Sequence, residues 1–197
     1  MRKFDRDKAD EISKRMREKF ERMMEEFNNR PIYEELSAEI LSATPDDKLE
    51  QTVIDYVGTK IIGYRDELAI VSNMSPGLQM VYSTRRLENE VRNGGFNQFF
   101  FNSSGQFTEM ALKSFRLLGA SEYVIILEKA IAIHFQETDD NPLLKELYAR
   151  GTIESFFATY ELSSLDKCDD EFFALGNQLR EMRIKYIRSH AQEFISN

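Results

Sequence analysis

With 197 residues, 42% hydrophobic side chains and only 4 Pro and 9 Gly, the chain carries enough apolar material for one large core, which excludes wholesale disorder. A net charge of −8 disfavours direct contact with nucleic acid or anionic lipid, both of which are met by clustered Lys and Arg. The lone cysteine, Cys168, excludes an internal disulfide and fits a reducing, cytoplasmic setting.

Residues 1–30 are crowded with charge and contain no apolar run of signal-peptide length. They hold ten basic and eight acidic side chains, whereas residues 31–197 hold 16 basic and 26 acidic ones. Over residues 5–28, Ala9, Ile12, Met16, Phe20, Met23 and Phe27 recur every three or four positions, which predicts one amphipathic helix with a mixed-charge outer face. Packing of that stripe on its own domain is the expected role; dimerisation and projection into solvent are the alternatives.

Pro31 ends this helix, and residues 32–42 read as a short second one. Thr44-Pro45-Asp46-Asp47 predicts a helix start, with Thr44 as N-cap, proline in the first position and acids on the positive end of the dipole. Leu49, Val53, Tyr56, Val57 and Ile61 follow as its apolar stripe. Ser75-Pro76 opens a helix to about Arg92, and Asn93-Gly94-Gly95 predicts the sharpest break in the chain. Helices are expected over 106–118, 121–136, 142–149 and 152–159, with Gly119 as a C-cap and Ser121 as the next N-cap. A final long helix is expected from Asp166 to about Ile195. The longest apolar stretch, residues 123–135, is interrupted by Glu128, Lys129 and His134 and is not a membrane span. Strand patterning is poor throughout. The expected fold class is therefore all-α, a single multi-helix domain over 31–197 with a helical extension over 1–30.

Catalytic motifs are absent from the sequence. Gly94-Gly95 lacks the Lys-Ser/Thr of a phosphate loop, and no Gly-x-Ser-x-Gly elbow occurs. Cys168 lies among Asp169 and Asp170, which oppose thiolate formation, so it reads as a bystander. His134 precedes Glu137 by three residues and His190 precedes Glu193 likewise, which puts each pair on one helix face. Dimetal bundles use the reverse order with two further glutamates, so a metalloprotein is the weakest reading. No catalytic residue, metal or cofactor is expected.

Residues 88–105 carry a more specific pattern: Glu90 and Val91, then Asn93, Gly94, Gly95 and Phe96, then Gln98, Phe99 and Phe100, then Asn102, Ser103, Ser104 and Gly105. This resembles the signature of the bacterial DNA-mimic protein family, otherwise labelled a domain of unknown function; Arg92 departs from it where a second asparagine is common. Leu118-Gly119-Ala120 and the segment from Leu165 to His190 are similar more weakly. The resemblance implies an all-helical fold, usually a dimer, without known enzymatic activity. It also implies a carboxylate surface that imitates DNA phosphates toward a DNA-binding protein, though the mimic carboxylates lie outside the signature. Within the signature, the preferred physical reading is structural: the glycines turn the chain, the phenylalanines bury apolar area, and the polar members satisfy backbone groups of the turn.

Two acid-rich segments are candidates for a partner surface: Glu34, Glu35, Glu39, Asp46 and Asp47 in the first, and Asp139, Asp140, Asp169, Asp170 and Glu171 in the second. Several sit at helix starts, where acids are favoured in any case. The expected function is a non-enzymatic acidic regulator that binds a DNA-binding protein. The alternative is a binding or immunity-type module that uses the 93–105 turn as a pocket for a ligand or peptide.

Overall fold

The computed structural model describes residues 6–63 and 66–195. Among them are eleven α-helices and two short 3-10 helices, without a strand. The chain divides into two units, residues 1–32 and 33–197.

The first unit is helix α1, Arg6–Asn28. It carries the expected i,i+4 pairs, Glu11 with Arg15 at 2.7 Å and Lys14 with Glu18 at 4.0 Å. The Arg30 guanidinium lies 3.6 Å from the centre of the Phe27 ring. The predicted start at Asp5 and the side chain of Ala9 lie outside what is described.

The second unit is organised on helix α5, Pro76–Phe101. Before it come α2 (Ala38–Ala43), α3 (Asp46–Lys60) and α4 (Glu67–Ser72); after it come α6 (Thr108–Leu118), α7 (Ser121–Asp140), α8 (Pro142–Arg150), α9 (Ile153–Tyr160), α10 (Asp166–Ala174) and α11 (Gln178–Ser189). The N-terminal half of α5 buries Leu78, Met80, Val81 and Tyr82 against Leu49, Val53, Phe107, Ile187 and Phe194. Its C-terminal half buries Leu87, Val91, Phe96 and Phe99 against Phe115, Tyr123, Leu127 and Phe172. Each large aromatic so buried removes some 150–250 Å² from water, and this one helix contributes to both clusters.

Several local expectations are corrected. The second helix begins at Ala38 rather than 32, where the Ser37 hydroxyl accepts from the Ile40 amide. Thr44 closes that helix instead of capping the next: its hydroxyl donates to the Ile40 carbonyl, and Pro45 becomes the residue flanking α3. Ala120, not Ser121, precedes α7, while Gly119 does end α6 in the left-handed region. The predicted last long helix is broken into α10, α11 and a 3-10 turn at Ala191–Glu193. Gly176 at φ +63° makes the first break, and the Arg92 guanidinium donates to its carbonyl and holds it.

Between the two apolar clusters lies an ionic group. Arg183 is fully buried, with Nε donating to Glu50 Oε1 at 2.5 Å and Nη2 donating to Glu88 Oε2. Arg92 Nε adds a second contact to Glu88, at 2.9 Å. Burial alone would raise the Glu88 carboxyl, but the charges and hydrogen bonds of Arg183 and Arg92 outweigh it and hold the group below the usual range.

Candidate functional site

The signature forms a kink with its own wiring. Helix α5 does not end at Asn93-Gly94-Gly95. It bends there, with Gly94 at φ −157° and Gly95 at φ +72°, ψ −178°, and then resumes to Phe101. Gly95 occupies backbone space that side-chain-bearing residues resist. The amides exposed by this bend need acceptors. One comes from α10: the Phe96 amide donates to Asp169 Oδ1 at 2.7 Å, so Asp169 caps the second half of α5 across 73 residues of sequence. Tyr160 donates to the Gly94 carbonyl at 2.6 Å, and Asn97 bridges Thr159 Oγ1 at 2.7 Å and the Tyr148 hydroxyl.

Glu90 is the hub. Gln98 Nε2 donates to its Oε2 at 2.6 Å, Asn102 Nδ2 to the same oxygen at 2.9 Å, and Ser104 Oγ to Oε1 at 2.7 Å. Asn93 Nδ2 donates to Gln98 Oε1 at 2.9 Å and completes the chain. The polar signature residues were expected to satisfy backbone groups; instead Gln98, Asn102 and Ser104 converge on one carboxylate and Asn93 donates to Gln98. Ser103 and Gly105 lie in the 3-10 turn of Ser103–Phe107 that follows, where the Gly105 amide donates to the Asn102 carbonyl at 3.0 Å. Phe96 and Phe99 are fully buried.

A groove of about 1100 Å³ is lined in part by Leu68, Pro76, Phe100, Gly105, Met110 and Phe135. Phe100 and Gly105 border it, whereas Asn93, Gln98 and Asn102 are not among its lining residues. The amides that would give a pocket its polar contacts are thus engaged with Glu90 and with each other.

The histidine pairs have other uses. Glu137 accepts from the Ser164 amide at 2.8 Å and from the hydroxyls of Ser163 and Ser164. His134 stacks on Phe100 with centroids 4.3 Å apart, and burial lowers its pKa against the opposing charge of Glu137. His190 stacks on Tyr186 at 4.0 Å, and Glu193 accepts from the Tyr186 hydroxyl at 3.0 Å. No group of three or more His, Cys, Asp or Glu suited to a metal occurs among the described residues. Cys168 is fully buried, and burial together with Glu171, Asp169 and Asp166 raises its thiol pKa despite Lys129.

The candidate acids differ in their surroundings. In the first segment, Glu34, Glu35, Glu39, Asp46 and Asp47 are exposed, but arginines are laced among them. Arg188 binds Asp46 Oδ1 at 2.6 Å, and Arg180 donates to the Asp47 carbonyl at 2.7 Å while lying 3.6 Å from the buried Glu50. In the second segment, the Glu137 bonds to Ser163 and Ser164 bring the last turn of α7 beside the start of α10. Asp139, Asp140, Asp166 and Asp170 are exposed, with Lys145 3.8 Å from Asp139 and Lys167 on α10. Glu171 is paired with Lys129, and Asp169 is occupied as the cap.

Burial, with Asp166 and Asp170 nearby, pushes the Asp169 carboxyl up to about 6 from 3.8, against the lowering by the Phe96 amide. A raised acid retains in the folded state a proton that the unfolded chain has already released. Its stabilising contribution is full below about 3.8 and is lost as pH rises through about 6. Urea unfolding at several pH values is expected to show the wild type losing stability relative to Asp169→Asn across that window; a difference that stays flat contradicts the assignment.

Residues 72–190 match the DMP19-like protein family, and the chain belongs to it. This is a family of DNA-mimic proteins, and the match contains α5 with its kink and extends through α11. Comparison with curated proteins and with solved structures finds no match. No helix among the described residues is long and apolar enough to cross a membrane.

Proposed function

We propose that the protein is a non-enzymatic acidic regulator that occupies the DNA-binding surface of a partner protein by offering carboxylates where the partner expects phosphates. The observation that carries this reading is membership of a DNA-mimic family by a chain whose body is acidic and whose Asp139, Asp140, Asp166 and Asp170 are exposed on α7 and α10. Duplex DNA presents about one negative charge per 1.7 Å of axis, so an imitator gains from exposed acids with few cations between them. The junction of α7 and α10 meets that condition better than the α2–α3 face, where Arg180 and Arg188 are interlaced. The kinked signature serves as the scaffold: Glu90 and Asp169 fix α5 and α10, and α10 carries the acids.

Contacts of this kind weaken with ionic strength. The triple variant Asp140→Asn/Asp166→Asn/Asp170→Asn is expected to lower capture of the basic partner about tenfold at low salt, since each lost contact removes on the order of 0.5 kcal/mol or more. Its unfolding transition should move only slightly, because all three side chains are exposed and only Asp166 is a first-turn acid, worth about 0.3–1 kcal/mol, whereas Asp140 ends α7, where the dipole disfavours a negative charge. Undiminished capture by a folded triple variant would remove this face from the account.

A further inference from the structure

Two asparagines of the chain are followed by a residue small enough to let the next backbone amide reach the side chain: Asn93 precedes Gly94 and Asn102 precedes Ser103. Attack of that amide nitrogen on the side-chain Cγ closes a five-membered imide. By neighbour alone Asn93 would react first, since glycine hinders least. The fold reverses the order. Asn93 keeps helical backbone angles inside α5, the first departure being at Gly94, so ring closure there requires leaving the helical well and breaking bonds of the ladder.

Asn102 stands between α5 and the 3-10 turn that follows. It is exposed, and its backbone is already extended at φ −79° and ψ 165°. Ser103 is the first residue of the turn, where amides have no partner within the helix, and its N–H meets no acceptor among the described residues. Rotation at Asn102 disturbs one backbone bond, from the Gly105 amide to the Asn102 carbonyl. The side chain is held through Nδ2, which donates to Glu90 Oε2 at 2.9 Å.

We infer that Asn102 is a self-modification site, deamidated through the adjoining Ser103 amide, and that the product unties the Glu90 hub. The Ser103 nitrogen bonds to Cγ while the Cγ–Nδ2 bond breaks, and the proton from Ser103 leaves with the amide nitrogen as ammonia. Water then opens the imide. Cleavage at Cγ gives aspartate; cleavage at the backbone carbonyl gives isoaspartate. Either product adds a carboxylate to the turn and removes one of the three side-chain donors that converge on Glu90.

Incubation of the full chain in mildly alkaline buffer, with and without urea, followed by peptide mass spectrometry, reads the site directly. In the folded chain a gain of about 1 Da should accumulate at Asn102 at least about three times faster than at Asn93. In urea the order should reverse, because only the neighbouring side chain then matters. Ser103→Pro should stop conversion at Asn102, since proline has no N–H. Proline suits the first position of a helix, and the extended backbone of Asn102 is the one that a following proline requires. Asn102→Asp should lower the thermal midpoint by about 2–4 °C, the mark of the untied hub. Faster conversion at Asn93 in the folded chain would overturn the proposal, as would continued conversion in a folded Ser103→Pro variant or an Asn102→Asp midpoint equal to that of wild type. The comparison with and without urea needs no variant, so it decides the site even if Ser103→Pro fails to fold.

Discussion

Arg183→Met is expected to destabilise the protein by about 3–5 kcal/mol, lowering the thermal midpoint by roughly 10 °C or more. The guanidinium is fully buried and joins three helices, reaching Glu50 on α3 and Glu88 on α5 from its own place on α11. Methionine replaces the aliphatic stem of the arginine and keeps its apolar packing, so the loss comes mainly from the missing guanidinium charge. It comes from two carboxylates, each at most 4% exposed, left without their principal counter-charge. Arg180 at 3.6 Å from Glu50 and Arg92 at 2.9 Å from Glu88 offset part of the loss. Adding Glu50→Gln and Glu88→Gln to Arg183→Met should therefore recover at least half of the lost stability in urea unfolding. A single variant as stable as wild type, or a triple variant worse than the single, would mean that packing and not charge holds this site.

Gly95→Ala should cost about 3 kcal/mol or more, by two additive routes. At φ +72° and ψ −178° the residue sits in a region nearly restricted to glycine, worth about 1–3 kcal/mol to any other side chain. An added Cβ would also stand 2.7 Å from Asp169 Cγ, displacing the carboxylate from the Phe96 amide and removing a cap worth about 1 kcal/mol. Gly58→Ala is the matched control. That glycine is in α3 with nothing within 4 Å of a new Cβ, so the change should stabilise by about 0.5–1 kcal/mol. Thermal unfolding of the two variants should move in opposite directions; a neutral Gly95→Ala would show that the kink does not depend on glycine.

Much of the helix plan was legible because its punctuation is local. Ser75-Pro76, Asn141-Pro142 and Gly119 mark helix ends through side-chain caps, a fixed proline φ and a left-handed residue. Helix α4 went unassigned because six residues are too few for a period to show. The last helix was over-extended because its apolar spacing continues through the break at Gly176. Asn93-Gly94-Gly95 was read as a break because the acceptor that lets the helix resume, Asp169, lies far along the chain. The position of Glu90 in the signature was evident, but its role was not, since convergence of Gln98, Asn102 and Ser104 on one carboxylate needs the kink first. Arg183 carried a signal that went unused: it falls four residues after Leu179 and four before Ile187, on the buried face of α11. Glu50 and Glu88 likewise sit beside Leu49 and Leu87, within core-facing stripes.

The central claim, that an acidic face competes with DNA for a protein partner, is tested most directly by capture on the immobilised full chain with duplex DNA as competitor. Partners are retained from lysate at about 0.1 M salt and identified by mass spectrometry, with and without the duplex, and again at about 0.5 M salt, where screening shortens the reach of charge. The account predicts a DNA-binding protein that the duplex displaces and that is lost at the higher salt. Retention of that protein in the presence of saturating duplex, or capture indifferent to salt, would contradict it.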